Sequence, residues 1–147
     1  MTALRWYAKK ITVATAGILT SIEAYIDQTA AGATTGFVVG LFEDNAGTPR
    51  YLLQSNADGA DLVLWLEHSN GVAGDPRWYG QPLGRYVTAG DYWIGISMSS
   101  TSYNVYKDTS GTDRYWTAAT GIRMRDAGGV AITITTDRYS IRASIIT

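Results

Sequence analysis

The chain contains no cysteine among its 147 residues, which excludes disulfides, thiolate metal sites and a cysteine nucleophile. It has one histidine, His68, so no two-histidine metal site arises within the chain, and we interpret His68 as a solvent-facing residue at a strand end. Charge is also scarce and balanced, with 12 Lys and Arg against 13 Asp and Glu. Without a basic run to attract phosphates, we expect no nucleic-acid partner.

Long apolar runs are missing as well. No segment approaches the length of a membrane span, and the start, MTALRWYAKK, lacks the apolar stretch of a signal peptide. We therefore expect either a protein that is made in a cytoplasm and leaves by another route, or an excised domain, in both cases without membrane insertion. The length suits one domain, residues 1–147, whose core buries roughly two-thirds of the unfolded surface.

Helical periodicity is absent, and the dominant period is two. The segment ILTSIEAYID (18–27) predicts two faces: one carries Ile18, Ile22, Ala24 and Ile26, and the other carries Leu19, Ser21, Glu23, Tyr25 and Asp27. Glycine, at 16 residues, punctuates such segments, whereas there are only three prolines. The predicted strands are 5–13, 18–27, 37–43, 62–67, 84–88, 91–98, 103–107, 130–135 and 139–146. They predict an all-β, antiparallel two-sheet sandwich of the jelly-roll type, with long connections at 44–61 and 68–83.

The tripeptide Thr-Ala-Gly occurs twice, ending at Gly17 and at Gly90, each time between two predicted strands. We expect both glycines to adopt a positive φ in a tight turn. A phosphate-binding glycine loop would have to open a helix, and no helical pattern follows either copy.

The acidic residues give little indication of a metal site or a catalytic site. Glu43, Asp44 and Asn45 stand together before a Gly and a Pro, as an ordinary turn requires, and their oxygens would also suit calcium. We favour the turn, keep calcium as the alternative, and expect no other cofactor. No acidic residue stands in an apolar segment that would raise its pKa for glycosidase chemistry, so we predict that the protein is not an enzyme.

Aromatic residues are the most informative group, with five Trp and ten Tyr against two Phe. Tyr and Trp join an apolar face to a polar edge, which suits wet interfaces and sugar rings. We assign Trp65 and Trp93 to the core. Two Arg-aromatic-aromatic triplets are predicted to lie in loops, where they form either a contact patch or plugs that close the end of the sandwich. These candidate binding residues are Arg77, Trp78, Tyr79, Arg114, Tyr115 and Trp116.

The order of four segments resembles a jelly-roll module of bacteriophage structural proteins. About two-thirds of the chain takes part, and 55–85 and 99–130 have no counterpart. The segments are AKKITVATAGILTSIEAYID, GLFEDNAGTPRYLLQSN, YVTAGDYWIGI and YSIRASIIT.

This resemblance implies a non-enzymatic protein of the virion surface, either a capsid decoration or the head of a fibre or tail tip, which acts in assembly or in attachment to the host. Its partners would be other virion proteins or a host cell-surface glycan, and we expect a homotrimer. The alternative is a carbohydrate-binding module of a secreted polysaccharide-degrading enzyme. The resemblance supplies no binding residue, and a fold alone does not establish function.

Overall fold

The computed structural model describes residues 5–28, 34–55, 64–67, 76–98, 103–117 and 132–147. Within these ranges the chain forms strands and no helix, and every strand pairing is antiparallel, which confirms the predicted all-β antiparallel class. None of these residues belongs to a helix able to cross a membrane. The described strands are β1 (Arg5–Val13), β2 (Gly17–Gln28), β3 (Thr34–Asn45), β4 (Thr48–Ser55), β5 (Leu64–Glu67), β6 (Arg77–Val87), β7 (Gly90–Met98), β8 (Tyr103–Val105), β9 (Lys107–Asp108), β10 (Arg114–Thr117), β11 (Thr133–Ile134), β12 (Arg138–Tyr139) and β13 (Ile141–Ile146).

The larger sheet has seven strands in the order β11-β10-β1-β7-β3-β4, and β5 also pairs with β3. Strand β3 is long enough to hold two partners end to end along one edge. Its first residues, Thr34 to Phe37, pair with β5, and Gly40 to Asn45 pair with β4. Strand β7 covers the other edge of β3.

A second sheet, here called the smaller sheet, has four strands with β2 in the centre, and β9 and β12 form a separate two-stranded sheet. Strand β6 pairs along one edge of β2, whereas β13 and then β8 pair along the other edge. The register of β2 with β6 shifts between Leu19 and Ser21. Pro82 lies opposite Ser21 at this bulge, on a strand with no further partner in the described part of the sheet, and such an edge tolerates the missing N–H.

The pairings between the two halves of the chain are nested. Strand β1 pairs with β7, β2 with β6, and β3 with β5. Consecutive strands β1 and β2 belong to different sheets, and so do β6 and β7. These three pairings therefore join earlier strands to later strands in a nested, antiparallel order.

The core is formed by the side chains that strand alternation directs to one face of each sheet. Both sheets contribute aliphatic residues to it. The buried cluster comprises Tyr7, Val13, Leu19, Ile22, Ala24, Ile26, Val39, Leu41, Leu83, Val87, Ile94, Ile96, Val105, Tyr139 and Ile141.

The opposite face of the larger sheet is also buried along its central strands. Trp6, Phe42 and Trp93 are almost fully buried there, and the Trp6 and Phe42 rings meet edge to face with centroids 5.6 Å apart. The prediction that Trp93 is a core residue is confirmed, although the sequence indicated a strand buried on one face only. The side chain of Trp65, and all of His68, lie outside the described residues.

The two Thr-Ala-Gly copies require glycine for different physical reasons. Gly90 has φ = 150°, as predicted, but Gly17 does not have a positive φ, so that prediction was wrong. A side chain at Gly17 would instead collide with the carbonyl oxygen of Ile146 in the neighbouring strand. Gly17 is thus required by close backbone approach, and Gly90 by conformation.

Two predicted long connections are partly strands. Residues 48–55 form β4, because Ala46 and Gly47 have φ values of 52° and 84° and make a two-residue hairpin turn of the I′ pattern. Residues 77–83 belong to β6, which is longer than the predicted 84–88. Pro82 and Gly80 suggested a loop, but a bulged edge strand accepts both.

Candidate functional site

Exposed apolar side chains concentrate on the outer face of the smaller sheet. Ile146, Ile18 and Tyr86 stand in one row across β13, β2 and β6, and they are 66%, 49% and 64% exposed. In a direct cross-strand pair, side chains point to the same face of the sheet. These three residues, here called the apolar row, therefore form a continuous uncovered strip within the described part of the sheet.

An aromatic cluster occupies the other end of the same face. It consists of Tyr25, its register partner Trp78, and Tyr106, which follows β8. The Tyr25 ring centroid lies 5.3 Å from that of Trp78 and 5.2 Å from that of Tyr106, with interplanar angles of 47° and 58°. Trp78 remains 40% exposed. The cluster is therefore an uneven surface of tilted rings.

One cation stacks on this cluster. The Arg142 guanidinium on β13 lies 3.8 Å from the centroid of the Trp78 ring, and its Nε donates to Glu23 Oε1 over 3.2 Å. Cation–π contact and the ion pair together hold Arg142 across β2. The charges of Arg142 and Glu23 in this arrangement are therefore opposite and paired.

Three backbone segments meet beside the aromatic cluster in a cyclic junction. The Tyr25 N–H donates to Ser140 O, the Ser140 N–H to Tyr106 O, and the Tyr106 N–H to Tyr25 O, over 2.8 to 2.9 Å. At this junction the chain stops pairing with β2 at the end of β8, and its next strand, β9, pairs with β12 instead. The strands therefore separate here and leave an opening at the end of the smaller sheet.

A pocket of about 390 Å³ lies on the inner side of this opening. Two cross-strand pairs supply most of its wall: Tyr7 opposite Tyr115, and Tyr139 opposite Lys107. The Tyr7 and Tyr139 rings meet edge to face at 5.1 Å. We call this cavity the tyrosine pocket, and its lining includes Tyr7, Tyr115, Tyr139, Asn104, Lys107 and Asp137.

Polar groups border the tyrosine pocket on one side. The Lys107 ammonium forms an ion pair of 2.8 Å with Asp137 Oδ2. Burial raises the pKa of the Tyr139 phenol well above its usual value, against the effect of its hydrogen bond with Thr135. Tyr139 therefore stays a neutral phenol at any physiological pH.

The turn before β12 is fixed by Asp113. Its buried carboxylate accepts the Tyr139 N–H over 2.7 Å, and its backbone oxygen accepts the N–H and the hydroxyl of Thr135. Burial raises the pKa of the Asp113 carboxyl, although this hydrogen bond and nearby cations oppose the rise. Asp113 thus positions Tyr139 in the pocket wall.

The six predicted binding residues do not form one patch. Both triplets lie in strands, β6 and β10, so their placement in loops was wrong. Trp78 lies in the exposed aromatic cluster, Tyr79 packs against the core, and Tyr115 lines the tyrosine pocket. The remaining three are exposed Arg77, Arg114 on the outer side of the larger sheet, and Trp116, whose side chain lies outside the described residues.

Asp44 has partners that belong to the fold. Its Oδ1 accepts the Trp93 indole N–H over 2.7 Å, and its Oδ2 accepts the Gly47 N–H at 3.4 Å and lies 3.8 Å from Lys10 Nζ. These contacts account for Asp44 as a residue of the β3–β4 hairpin. Among the described residues no group of three acidic or histidine side chains gathers as metal ligands, and calcium at Glu43, Asp44 and Asn45 stays an untested alternative.

Sequence reasoning missed most of the residues that form these surfaces. Tyr7 and Tyr139 are 132 positions apart and meet only because β1, β10, β9 and β12 converge. The surplus of tyrosine was the sole signal, and it does not say which rings meet. Comparison of this chain with protein-family models, with curated proteins and with solved structures gave no match.

Proposed function

We propose that this protein is a non-enzymatic module of a bacteriophage virion surface, and that copies of it assemble through the outer face of the smaller sheet. One observation carries the assembly part. Of the seven strongly exposed large apolar side chains in the described part of the chain, five lie on this face: Ile18, Trp78, Tyr86, Tyr106 and Ile146.

Such a concentration favours a protein partner. Contiguous exposed apolar surface is rare on soluble monomers and marks interaction sites. Trp, Tyr and Arg, all present in the aromatic cluster, are the residue types that dominate binding energy in protein interfaces. A flat polysaccharide surface fits less well, because the rings are tilted and Arg142 covers one face of Trp78.

A second copy is the partner we propose. Glu23 and Arg142 on this face have opposite charges and are paired, so this pair adds no net charge that would oppose contact between copies. We propose three copies around an axis with the apolar row facing inward. Edge strands β6 and β13 of the smaller sheet would then be shielded as well.

The virion assignment is supported by the four-segment resemblance, and a jelly-roll arrangement of the two sheets is part of the same proposal. Nested pairing of β1 with β7, β2 with β6 and β3 with β5 supports it, because a jelly roll is an antiparallel ribbon wrapped through two sheets. On a particle, the module would then contact other virion proteins or a host glycan.

Light scattering of the purified chain tests the assembly. We expect a mass three times the 15.9 kDa of one chain. Tyr86→Glu places a charge in the apolar row and should give monomers with an unchanged circular dichroism spectrum. Tyr51→Glu is the matched control, because Tyr51 is an exposed strand tyrosine, 42% exposed, on the larger sheet, and it should leave the trimer intact.

A monomeric wild-type protein at high concentration, or a Tyr86→Glu variant that remains trimeric, would contradict assembly through this face. The virion assignment has a separate test, which is binding of the purified protein to empty capsids and to isolated host envelopes. Binding to neither would overturn it.

A further inference from the structure

The tyrosine pocket has the size and composition of a ligand site. Its volume of about 390 Å³ falls in the range of roughly 300–1,000 Å³ that small-molecule pockets span. Three aromatic rings supply apolar wall, and the polar groups gather on one side. Since the pocket lies inside the strand junction, it is separate from the apolar row and from the proposed assembly.

The inner wall of the pocket consists of aromatic rings that contact one another. Tyr7 and Tyr139 are buried and held edge to face, and the Tyr115 ring lies 6.4 Å from Tyr7. Asp113 fixes the backbone of Tyr139 from behind. A ligand therefore meets a preformed apolar wall, which lowers the entropy cost of binding.

The rim offers a donor and an acceptor side by side. Lys107 Nζ carries three N–H groups, of which one serves the ion pair with Asp137 Oδ2, and Asp137 Oδ1 can accept a further hydrogen bond. Lys107 lines the pocket and is half-exposed, so its remaining N–H groups are accessible to a ligand. Two neighbouring hydroxyls of one ligand match this pair, because each hydroxyl both donates and accepts.

Charge restricts the ligand further. Lys107 and Asp137 are the two charged groups in the lining, and they neutralise each other. A ligand with a net charge would meet one favourable and one unfavourable partner. A neutral ring with an apolar face and adjacent hydroxyls satisfies both the wall and the rim.

We propose that the tyrosine pocket binds a single neutral pyranose residue of a glycan, with the C–H face of the sugar against Tyr115 and Tyr7 and two hydroxyls on Lys107 and Asp137. This adds a recognition site to a module that otherwise assembles through its outer face. It also assigns a role to the Lys107–Asp137 ion pair, which lies apart from the main core.

The test titrates methyl pyranosides of glucose, galactose, mannose, rhamnose and N-acetylglucosamine into ¹⁵N-labelled protein, each to about 50 mM, a range that detects millimolar affinity. At least one sugar should shift the amide signals of Asn104, Lys107 and Tyr115. Lys107→Met and Asp137→Asn should each weaken that binding by about tenfold, the value of one hydrogen bond to a charged group.

Lys10→Met is the matched control. Lys10 also pairs with an aspartate, Asp91, over 3.2 Å and is similarly exposed, but it does not line the pocket. It should leave the affinity unchanged. Sorbitol, which has hydroxyls but no ring, and phenol, which has a ring but no diol, complete the panel.

The inference is overturned if no sugar shifts the pocket amides, if the shifts occur only on the outer face, or if Lys107→Met binds as the wild type does. Phenol binding without sugar binding would show an apolar pocket of another kind. Because the readout is the pocket itself, it stays informative whether the chain proves trimeric or monomeric.

Discussion

Replacing Gly17 by alanine should destabilise the fold through one identifiable clash. An added Cβ would collide with the Ile146 carbonyl oxygen and lie only 3.1 Å from Ile145 Cγ2. The first of these atoms is backbone, so no rotamer change relieves it. Overpacking of this kind costs about 1–3 kcal/mol. For a domain of this size, we expect the melting temperature to fall by about 2–4 °C for each kcal/mol.

Deleting residues 146–147 removes the colliding atom and supplies the decisive comparison. The deletion itself lowers stability, but in that background Gly17→Ala should cost much less than in the full chain, because the two changes share one contact. Urea unfolding of the four proteins in this cycle measures the coupling. Equal costs of Gly17→Ala in both backgrounds would refute the close-approach explanation.

Gly84 and Gly90 serve as controls for Gly17. An added Cβ at Gly84 meets nothing within 4 Å, so Gly84→Ala should be nearly neutral. Gly90 also has open space, but its φ of 150° suits only glycine, and Gly90→Ala should cost about 1–3 kcal/mol in strain. Unlike the cost at Gly17, this one should not change when the last two residues are deleted.

Two further predictions concern the partly buried Asp44 and the buried Asp113. Asp44→Ala should cost about 1.5–3 kcal/mol in urea unfolding, because the buried Trp93 N–H loses a charged acceptor, whereas Asp44→Asn keeps an acceptor and should cost less; equal losses would contradict this. The raised pKa of Asp113 means that the folded state binds its proton more tightly, so its contribution to stability is greatest below the ordinary value of 3.8 and is lost as pH rises through the folded pKa. The free energy of unfolding of Asp113→Asn, taken relative to that of the wild type, should therefore rise as the pH is raised from about 3 to about 7. A difference that does not change with pH would refute this.

The period-two pattern was sufficient to predict the class of the fold. Alternation in ILTSIEAYID correctly placed Ile22 and Ile26 in the core and Glu23 on the outer face, because β2 is buried on one side only. It was wrong for Ile18, which is 49% exposed, and for Leu19, which is buried, because the register shift between Leu19 and Ser21 interrupts the period of two. The same reasoning underestimated the burial of β7, where Trp93 on the second face is almost as deeply buried as Ile94 on the first. A strand that is buried on both faces reads as a nearly continuous apolar run, and YWIGISM in β7 is such a run, so this signal was present in the sequence and was missed.

The missed strands have a local explanation. Pro49, Gly80 and Pro82 are turn formers by composition, yet all three lie in strands. Pro82 is accepted at the bulge of an edge strand, and a local window of sequence does not reveal which strand will lie at the edge. Strand order depends on contacts between distant segments.

The same long-range order decides where the candidate sites lie. At the cyclic junction, Tyr106 directs its ring to the aromatic cluster, while its neighbours Val105 and Lys107 line the tyrosine pocket. Ser140 similarly follows Tyr139 of the pocket and precedes Ile141 of the core. One set of three backbone hydrogen bonds therefore places both surfaces, and a change that disrupts this backbone would disturb both. Tyr86→Glu and Lys107→Met alter side chains away from those bonds, which is why they can separate assembly from sugar binding.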